Sequence, residues 1–340
     1  MKMIRIGVIC PSEIAFRRFM PAVSLLKDKF EFIGIGVSTA EERFGSDEVN
    51  QELLDIDYEK AKQFTDTYGG KIYDGYANIV NSDDIDAIYI PLPPALHYKW
   101  AKAALNAGKH VLLEKPFTTS SADTEELISI ARERNLALHE NYMFAFHNQL
   151  KEIAEIVSKG EIGDVRLYRI SFGFPMRAAN DFRYKKALGG GSLIDCGGYP
   201  IKYASMLIGE TAHVAYANLN YIDGFEVDMY GSAALINDDG VTAQIAFGMD
   251  NEYKCELEIW GSKGTLKSDR ILTAPVGFVP EITIRNSGEE RKFALSADDS
   301  FKKSIEFFHS SIFDNDVRLK NYNTINKQAQ LIEEFKSLLK

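Results

Sequence analysis

The residues with the most chemical promise lie in one nine-residue run, Gly108-Lys109-His110-Val111-Leu112-Leu113-Glu114-Lys115-Pro116. Its apolar HVLLE portion reads as a buried strand, which puts Glu114 and Lys115 at the C-terminal end. Ligands of open parallel sheets bind at that edge. A lysine desolvated there has a lowered pKa, and it can exchange a proton or hold a hydroxyl. Pro116 fixes the chain as it leaves the strand.

A second candidate is the turn Cys10-Pro11-Ser12-Glu13-Ile14, after the first apolar run. A dinucleotide needs a tight turn here that brings its pyrophosphate to a helix N-terminus, usually through G-x-G-x-x-G/A. Cys10, Ser12 and Ala15 stand at those positions, so two glycines are replaced. Ala15 still permits close helix–strand packing. Ser12 caps the helix or meets a phosphate oxygen. Pro11 removes one backbone donor, and Glu13 adds a negative charge that Arg17 or Arg18 can offset. The second strand ends in Ser38-Thr39-Ala40, with Arg43 close behind. No acid stands where an NAD ribose would be held, which leans towards NADP with Ser38, Thr39 and Arg43 available to its 2′-phosphate. Glu41 and Glu42 weigh against that lean.

The elements that must carry these groups follow from hydrophobic periodicity. Over residues 1–145, apolar runs (Ile4–Cys10, Phe30–Ser38, Ala87–Leu92, His110–Glu114, Leu136–Tyr142) alternate with helical spacing over Ile14–Lys29, Asn50–Tyr68, Ala95–Ala107 and Thr119–Arg134. Strands apolar throughout, separated by helices, predict a doubly wound parallel sheet, a Rossmann domain. Over 146–340 the pattern becomes a helix at Gln149–Lys159, a strand at Val165–Phe174, alternating strands from His213 to Arg291, and helices at Phe301–Phe313 and Asn323–Leu339. That predicts an α+β domain with a large, mostly antiparallel sheet.

Composition narrows the classes of function. The 340 residues suit two domains and carry a net charge of −10, which argues against nucleic-acid or anionic-membrane partners. Three scattered cysteines, Cys10, Cys196 and Cys255, give neither a disulfide framework nor a metal site. The first residues run straight into a strand with no secretory signal, so a cytoplasmic enzyme is expected.

Several further segments stand in a familiar order: IPLPPALHYKWAKAAL (90–105), AGKHVLLEKP (107–116), GEIGDVR (160–166), LGGGSLIDCGGYPI (188–201) and ELEIWGSKGTL (256–266). Along nearly its whole length the chain resembles the Gfo/Idh/MocA oxidoreductases. The resemblance implies a Rossmann domain that binds NAD or NADP, and an open sheet with one face at a subunit interface, giving a homodimer or homotetramer. By motif, Lys115 matches the family's EKP lysine, and Asp195 and Tyr199 match its D-x-x-x-H/Y pair. Leu92, Pro93, His97 and Glu114 then fall on the cofactor-binding side. In the reducing direction Tyr199 gives the proton to the reacting oxygen and Lys115 stabilises the developing alkoxide. Asp195, four residues earlier on one helical face, orients the substrate or Lys115. Gly189-Gly190-Gly191 would let the backbone approach the substrate.

Plainer readings stand beside these. Tyr199 also suits a packed core tyrosine, Asp195 and His97 suit helix caps, and His147 suits a structural role. Arg177, Arg183 and Lys202 read as surface charge or as ligands of an anionic group. The expected substrate is a sugar, with a nucleotide-linked sugar preferred. Alternatives are a free sugar, an inositol or an aromatic trans-dihydrodiol. A non-catalytic dinucleotide sensor and a bare nucleotide-binding module are the competing classes.

Overall fold

The computed structural model describes residues 2–45 and 48–339. It divides into two compact units, one formed by the chain up to Asn141 with Phe301–Asn326, the other by Tyr142–Ser300 with the chain from Lys327 onward. The first unit is therefore not one continuous stretch, as a single boundary at 145/146 would have it.

In the first unit the chain runs β1 (Ile4–Ile9), a π-helical turn (Ala15–Phe19), α1 (Met20–Ser24), β2 (Phe30–Val37), α2 (Ala40–Phe44), α3 (Gln51–Tyr68) and β3 (Lys71–Asp74). It continues through α4 (Tyr76–Val80), β4 (Ala87–Ile90), α5 (His97–Asn106), β5 (His110–Leu113), α6 (Ser121–Glu133) and β6 (Leu138–Glu140). All six strands are parallel, in the order β3-β2-β1-β4-β5-β6. The order reverses direction between β1 and β4, the crevice where such sheets bind dinucleotides. Ile6, Val8, Ile88, Ile90, Val111 and Leu113 are fully buried, and each contributes about 1.5–3 kcal/mol by leaving water. The helix starts are capped as their residue types dictate: Asn50 accepts from Leu53 N–H at 3.2 Å and Ser120 from Asp123 N–H at 3.4 Å. Gly108, in the left-handed region at φ 76°, ends α5.

The second unit starts with α7 (Asn148–Ser158), β7 (Val165–Gly173), a π-helical turn (Leu193–Gly197) and α8 (Gly198–Ile208). Strands β8 (His213–Tyr221), β9 (Asp228–Ile236), β10 (Thr242–Gly248), β11 (Lys254–Gly261), β12 (Gly264–Asp269), β13 (Glu281–Asn286) and β14 (Glu289–Ala294) follow. With β7 they form one eight-stranded sheet, β14-β13-β12-β11-β7-β10-β9-β8. Every neighbouring pair is antiparallel except β7 with β10. Helix α8 packs on the inner face of this sheet, among Ile170, Ile245 and Phe247. Two helices end the chain, α9 (Ser300–Phe313) and α10 (Asn315–Ser337), and α10 is divided between the two units. Among the described residues no helix is long and apolar enough to cross a membrane, and no cluster of His, Cys, Asp and Glu could hold a metal.

His110 gives the first unit a pH dependence. Its Nδ1 accepts from Ala137 N–H at 2.9 Å, so the ring must be neutral. Burial, helped by the charge of Arg318, pushes its pKa from 6.5 down to about 4. Between those values the unfolded chain takes up a proton that the folded chain refuses, so stability falls as pH drops below about 6.5. Urea unfolding at pH 7.5 and pH 5.0 is expected to show a loss of about 2 kcal/mol from this residue. His110→Asn retains an acceptor, removes the titration and should lose that much less. An equal loss in both proteins would assign the pH dependence elsewhere.

Candidate active site

The C-terminal edge of the first sheet gathers the predicted cofactor residues. Cys10 sits at φ 78°, the left-handed conformation that a fingerprint glycine supplies without strain. The turn is thus kept although the glycine is gone. Burial pushes the Cys10 thiol up to about 11, so it stays protonated. Ser12 Oγ accepts from Ala15 N–H at 3.2 Å and closes the start of the helical run. Ile14 is exposed at the head of that run, and Pro11 is buried. Glu13 pairs with Arg17 one turn on, so its charge is compensated within the helix.

At the end of β2, Ser38 is buried beside the Tyr76 hydroxyl. Thr39 Oγ1 accepts from Glu42 N–H at 3.2 Å, and Thr39 N–H donates back to Glu42 Oε2 at 3.0 Å, a reciprocal cap. The Glu42 carboxylate also accepts from Tyr76 N–H and Ala77 N–H, each at 2.8 Å. Its oxygens are spent on three backbone groups, so Glu42 is a strap between two loops rather than an acid offered to a ribose. Arg43 pairs with Asp57. A pocket of about 550 Å³ opens here, lined among others by Thr39, Gly75, Asn78, Lys99 and Trp100.

The ends of β4 and β5 are tied together by His97. The ring is fully buried, with Nδ1 2.8 Å from Pro116 O and Nε2 2.7 Å from Leu92 O. Burial, with a smaller push from the Lys115 charge, holds its pKa below the usual value. A neutral ring donates to one carbonyl or the other. His97 therefore props the Leu92-Pro93 loop and the turn after Lys115 from beneath; it does not present its ring to a ligand. Glu114 is likewise turned inward. Its Oε1 accepts from Tyr89 Oη at 2.7 Å and Asn141 Nδ2 at 2.6 Å, and burial raises its pKa. Asn141 Oδ1 accepts from Ser304 Oγ at 2.8 Å, and Ser304 in turn meets His139 Nε2 at 2.8 Å. On the far side, Phe117 N–H donates to Glu140 Oε1 at 2.9 Å. Lys115, partly exposed and followed by a cis bond to Pro116, is thus fixed on both flanks. The cofactor roles expected of His97 and Glu114 give way to supporting ones, because burial and protein partners claim their polar atoms.

The second unit holds the other predicted residues. Asp195 lies on the π-helical turn and Tyr199 in the first turn of α8, so one helical run carries both. The Tyr199 ring packs against Tyr142 and Phe172, each at 5.1 Å between centroids, and Phe144 at 5.7 Å. Asp195 Oδ2 accepts from Arg183 Nε at 2.7 Å. Asp228 caps this helical run, its Oδ2 accepting from Ser192 Oγ at 2.6 Å and Leu193 N–H at 2.7 Å.

The glycines ahead of this run do something other than expected. A Cβ on Gly190 would lie 2.3 Å from Arg183 O, and one on Gly191, at φ 118°, would lie 2.4 Å from Asp228 Oδ1. They let the backbone close on protein groups, not on a substrate. Of the remaining candidates, Arg177 stacks over Phe174, and His147 Nδ1 accepts from Gln149 N–H at 3.1 Å as a cap of α7. Lys202 is buried over Tyr142 rather than on the surface, and Cys196 is buried with its thiol donating to Ser192 O. Sequence reasoning missed Tyr89, Asn141 and Ser304 as supports, and it missed what Arg183 holds.

A parallel sheet in dinucleotide-binding order, with a turn still shaped for a pyrophosphate and a lysine at its ligand edge, defines a nucleotide-binding α/β protein with a second, antiparallel-sheet unit. Comparison with known proteins makes this specific. Residues 28–142 match the oxidoreductase family with an NAD-binding Rossmann fold, and residues 150–267 match the GFO/IDH/MocA C-terminal domain. The chain is similar to the dTDP-3,4-didehydro-2,6-dideoxy-alpha-D-glucose 3-reductase of Actinomadura kijaniata, 36% identical over 97% of this chain and 94% of that one. It is 37% identical to the enzyme of the same name from Streptomyces violaceoruber over 91% of this chain and 85% of that one. A crystal structure of a 3-ketoreductase from Actinomadura kijaniata, in complex with NADP and TDP-benzene, superposes with a TM-score of 0.90 at 35% identity, covering 100% of this chain and 98% of that one. The chain belongs to the Gfo/Idh/MocA family of NAD(P)-dependent oxidoreductases.

Proposed function

We propose that this protein reduces a keto group on a nucleoside-diphosphate-linked sugar with NADPH. The observation that carries the reading is the near full-length similarity to dTDP-linked sugar 3-reductases, in a chain with Lys115 at the ligand edge of the sheet and Tyr199 seated on three aromatic rings.

The residues present fit a dinucleotide. Cys10 keeps the left-handed turn, Glu13 is neutralised by Arg17, and the pocket beside Thr39 has the volume of a small-molecule site. Backbone groups of Ser12, Glu13 and Ile14 would hold the pyrophosphate at the helix start. Ser38, Thr39 and Arg43 would meet the 2′-phosphate, while Glu42, committed to three N–H groups, leaves only Glu41 as an acid on the pocket wall. When bound, the nicotinamide supplies the hydride. The chain's own part is to manage one proton and one developing charge. Tyr199 donates its phenolic proton to the carbonyl oxygen, and the Lys115 ammonium stabilises that oxygen as charge builds on it. Asp195 orients these groups. The carbonyl becomes a carbinol, and the phenol regains its proton from solvent. The outer face of the eight-stranded sheet, where Tyr216, Tyr230 and Trp260 are exposed, is the subunit contact in this reading.

Titrating purified protein with NADPH and NADH, followed by nicotinamide fluorescence, tests the cofactor. At least about tenfold tighter binding of NADPH is expected from 2′-phosphate contacts. Steady-state reduction of a dTDP-linked 3-keto sugar tests the substrate, and sedimentation of the same preparation tests the subunit contact. Binding of neither dinucleotide, or NADPH binding without turnover of any keto sugar, would remove the proposed activity.

A further inference from the structure

Arg183 lies outside the motifs, yet it grips Asp195. Its Nε donates to Asp195 Oδ2 at 2.7 Å, and its Nη1 donates to Asp181 Oδ1 at 3.1 Å. The side chains are largely withdrawn from water, 19% exposed for Arg183, 18% for Asp181 and 9% for Asp195. Phe182 lies under the guanidinium, 4.5 Å from its ring centroid. Asp181 fixes the arginine at its base as well, accepting from Arg183 N–H at 3.0 Å.

The surrounding backbone is built to hold this contact. Gly191 N–H donates to Arg183 O at 2.9 Å, and Gly190 N–H to Lys185 O at 3.0 Å. Any side chain at Gly190 would strike the Arg183 carbonyl. The three-glycine stretch therefore clamps the Arg183 turn onto the helical run that begins at Leu193. That run carries Asp195 and Tyr199 together, and Asp228 pins its start. A charge-assisted bond from a planar guanidinium, itself held on two sides, fixes both the place and the rotation of the carboxylate it meets.

We propose that Arg183 is a positioning residue of the reaction, acting through Asp195. Its grip on Oδ2 sets the place and the rotation of the Asp195 carboxylate. Arg183 itself takes no part in proton transfer and does not bind the substrate. The inference rests on the reading of Asp195 as an orienting group in a keto-sugar reductase. It adds that the arginine is part of that group's function.

The test is a double-mutant cycle on kcat with Arg183→Gln, Asp195→Asn and the combination. Each protein is also checked for NADPH binding and melting temperature. Turnover is measured on a dTDP-linked 3-keto sugar and, in the oxidising direction, on a free aldose. Arg183→Gln should lower kcat about 10–100-fold, the loss expected when a catalytic group is misplaced by about 1 Å. KM and NADPH binding should change little. The double variant should be no slower than Asp195→Asn, because the arginine acts only through the aspartate. Arg183→Lys should fall between wild type and Arg183→Gln, since an ammonium keeps the charge and loses the planar fork.

Multiplicative losses in the double variant would overturn the proposal. So would unchanged kcat in a folded Arg183→Gln. A rise in KM for the nucleotide-linked sugar alone would make the arginine a substrate ligand, and loss of folding or of NADPH binding would make it a stability residue. Wild-type activity on the aldose alone would change the substrate class and leave the cycle valid. A wild type inert to both substrates would remove the reading and this inference with it.

Discussion

Replacing Lys115 with alanine should leave NADPH binding within about threefold of wild type and lower kcat by about three orders of magnitude, the loss expected when the group that stabilises the developing alkoxide is removed. The fold should tolerate the change. The side chain is partly exposed, while the backbone on either side is held by other groups: Glu114 by Tyr89 and Asn141, Phe117 by Glu140. Melting temperature should therefore move little. Arginine is not an adequate substitute, since its bulkier, permanently charged fork cannot occupy the place of a compact ammonium. Kinetics of Lys115→Ala and Lys115→Arg, beside fluorescence titration with NADPH, decide the matter. Turnover within tenfold of wild type in the alanine variant would take the lysine out of the mechanism.

Tyr199→Phe isolates one hydroxyl. The phenylalanine ring keeps its contacts with Tyr142, Phe172 and Phe144, so packing and stability should hold to within about 1 kcal/mol. Only the proton donor is removed, and kcat should fall about 100-fold with KM nearly constant. Water reaching the oxygen limits the loss, which is why it should be smaller than that for Lys115→Ala. If kcat stays at the wild-type value, the proton comes from another group, and Tyr199 is an aromatic wall of the second unit.

How far this was legible in the sequence depends on where each element hides its apolar residues. Strands β4 and β5 are buried on both faces almost throughout, and β1 and β2 over their C-terminal halves, so each shows as a mainly apolar run despite Arg5 and Glu31. Strand β3 and helix α4 did not show: β3 is four residues with both ends exposed, and α4 is five residues long. Strand β14, Glu-Glu-Arg-Lys-Phe-Ala, is exposed along its whole length at the sheet edge, so no alternation betrays it. Helix α10 starts eight residues before the expected Asn323, because its first turns bury Arg318 and Asn321 as well as Tyr322, and polar residues facing inward blur the period.

The site divides in the same way. Lys115, Asp195 and Tyr199, the residues proposed for the chemistry, stand in contiguous motifs that the sequence displays. What holds them is not displayed. Ser304 reaches Asn141 across 163 positions and Asn141 reaches Glu114 across 27, and such pairings leave no local signature. Motif position puts His97 and Glu114 on the cofactor side, because it says which loop a residue is on and not which way the side chain turns.

The division of the chain has a consequence for the order in which the protein is made. The first unit needs Phe301–Asn326: Asn321 Nδ2 donates to Leu138 O at 2.5 Å, Tyr322 donates to Leu136 O, and Ser304 completes the link to Asn141. During synthesis the six-stranded sheet leaves the ribosome first and must wait, at ~5–20 residues per second, roughly ten seconds or more for the segment that finishes it. Through that interval the edge at β6 stays uncovered and the polar groups behind Lys115 lack their last partner. The dinucleotide-binding half, though first in sequence, is completed only when the last helices emerge.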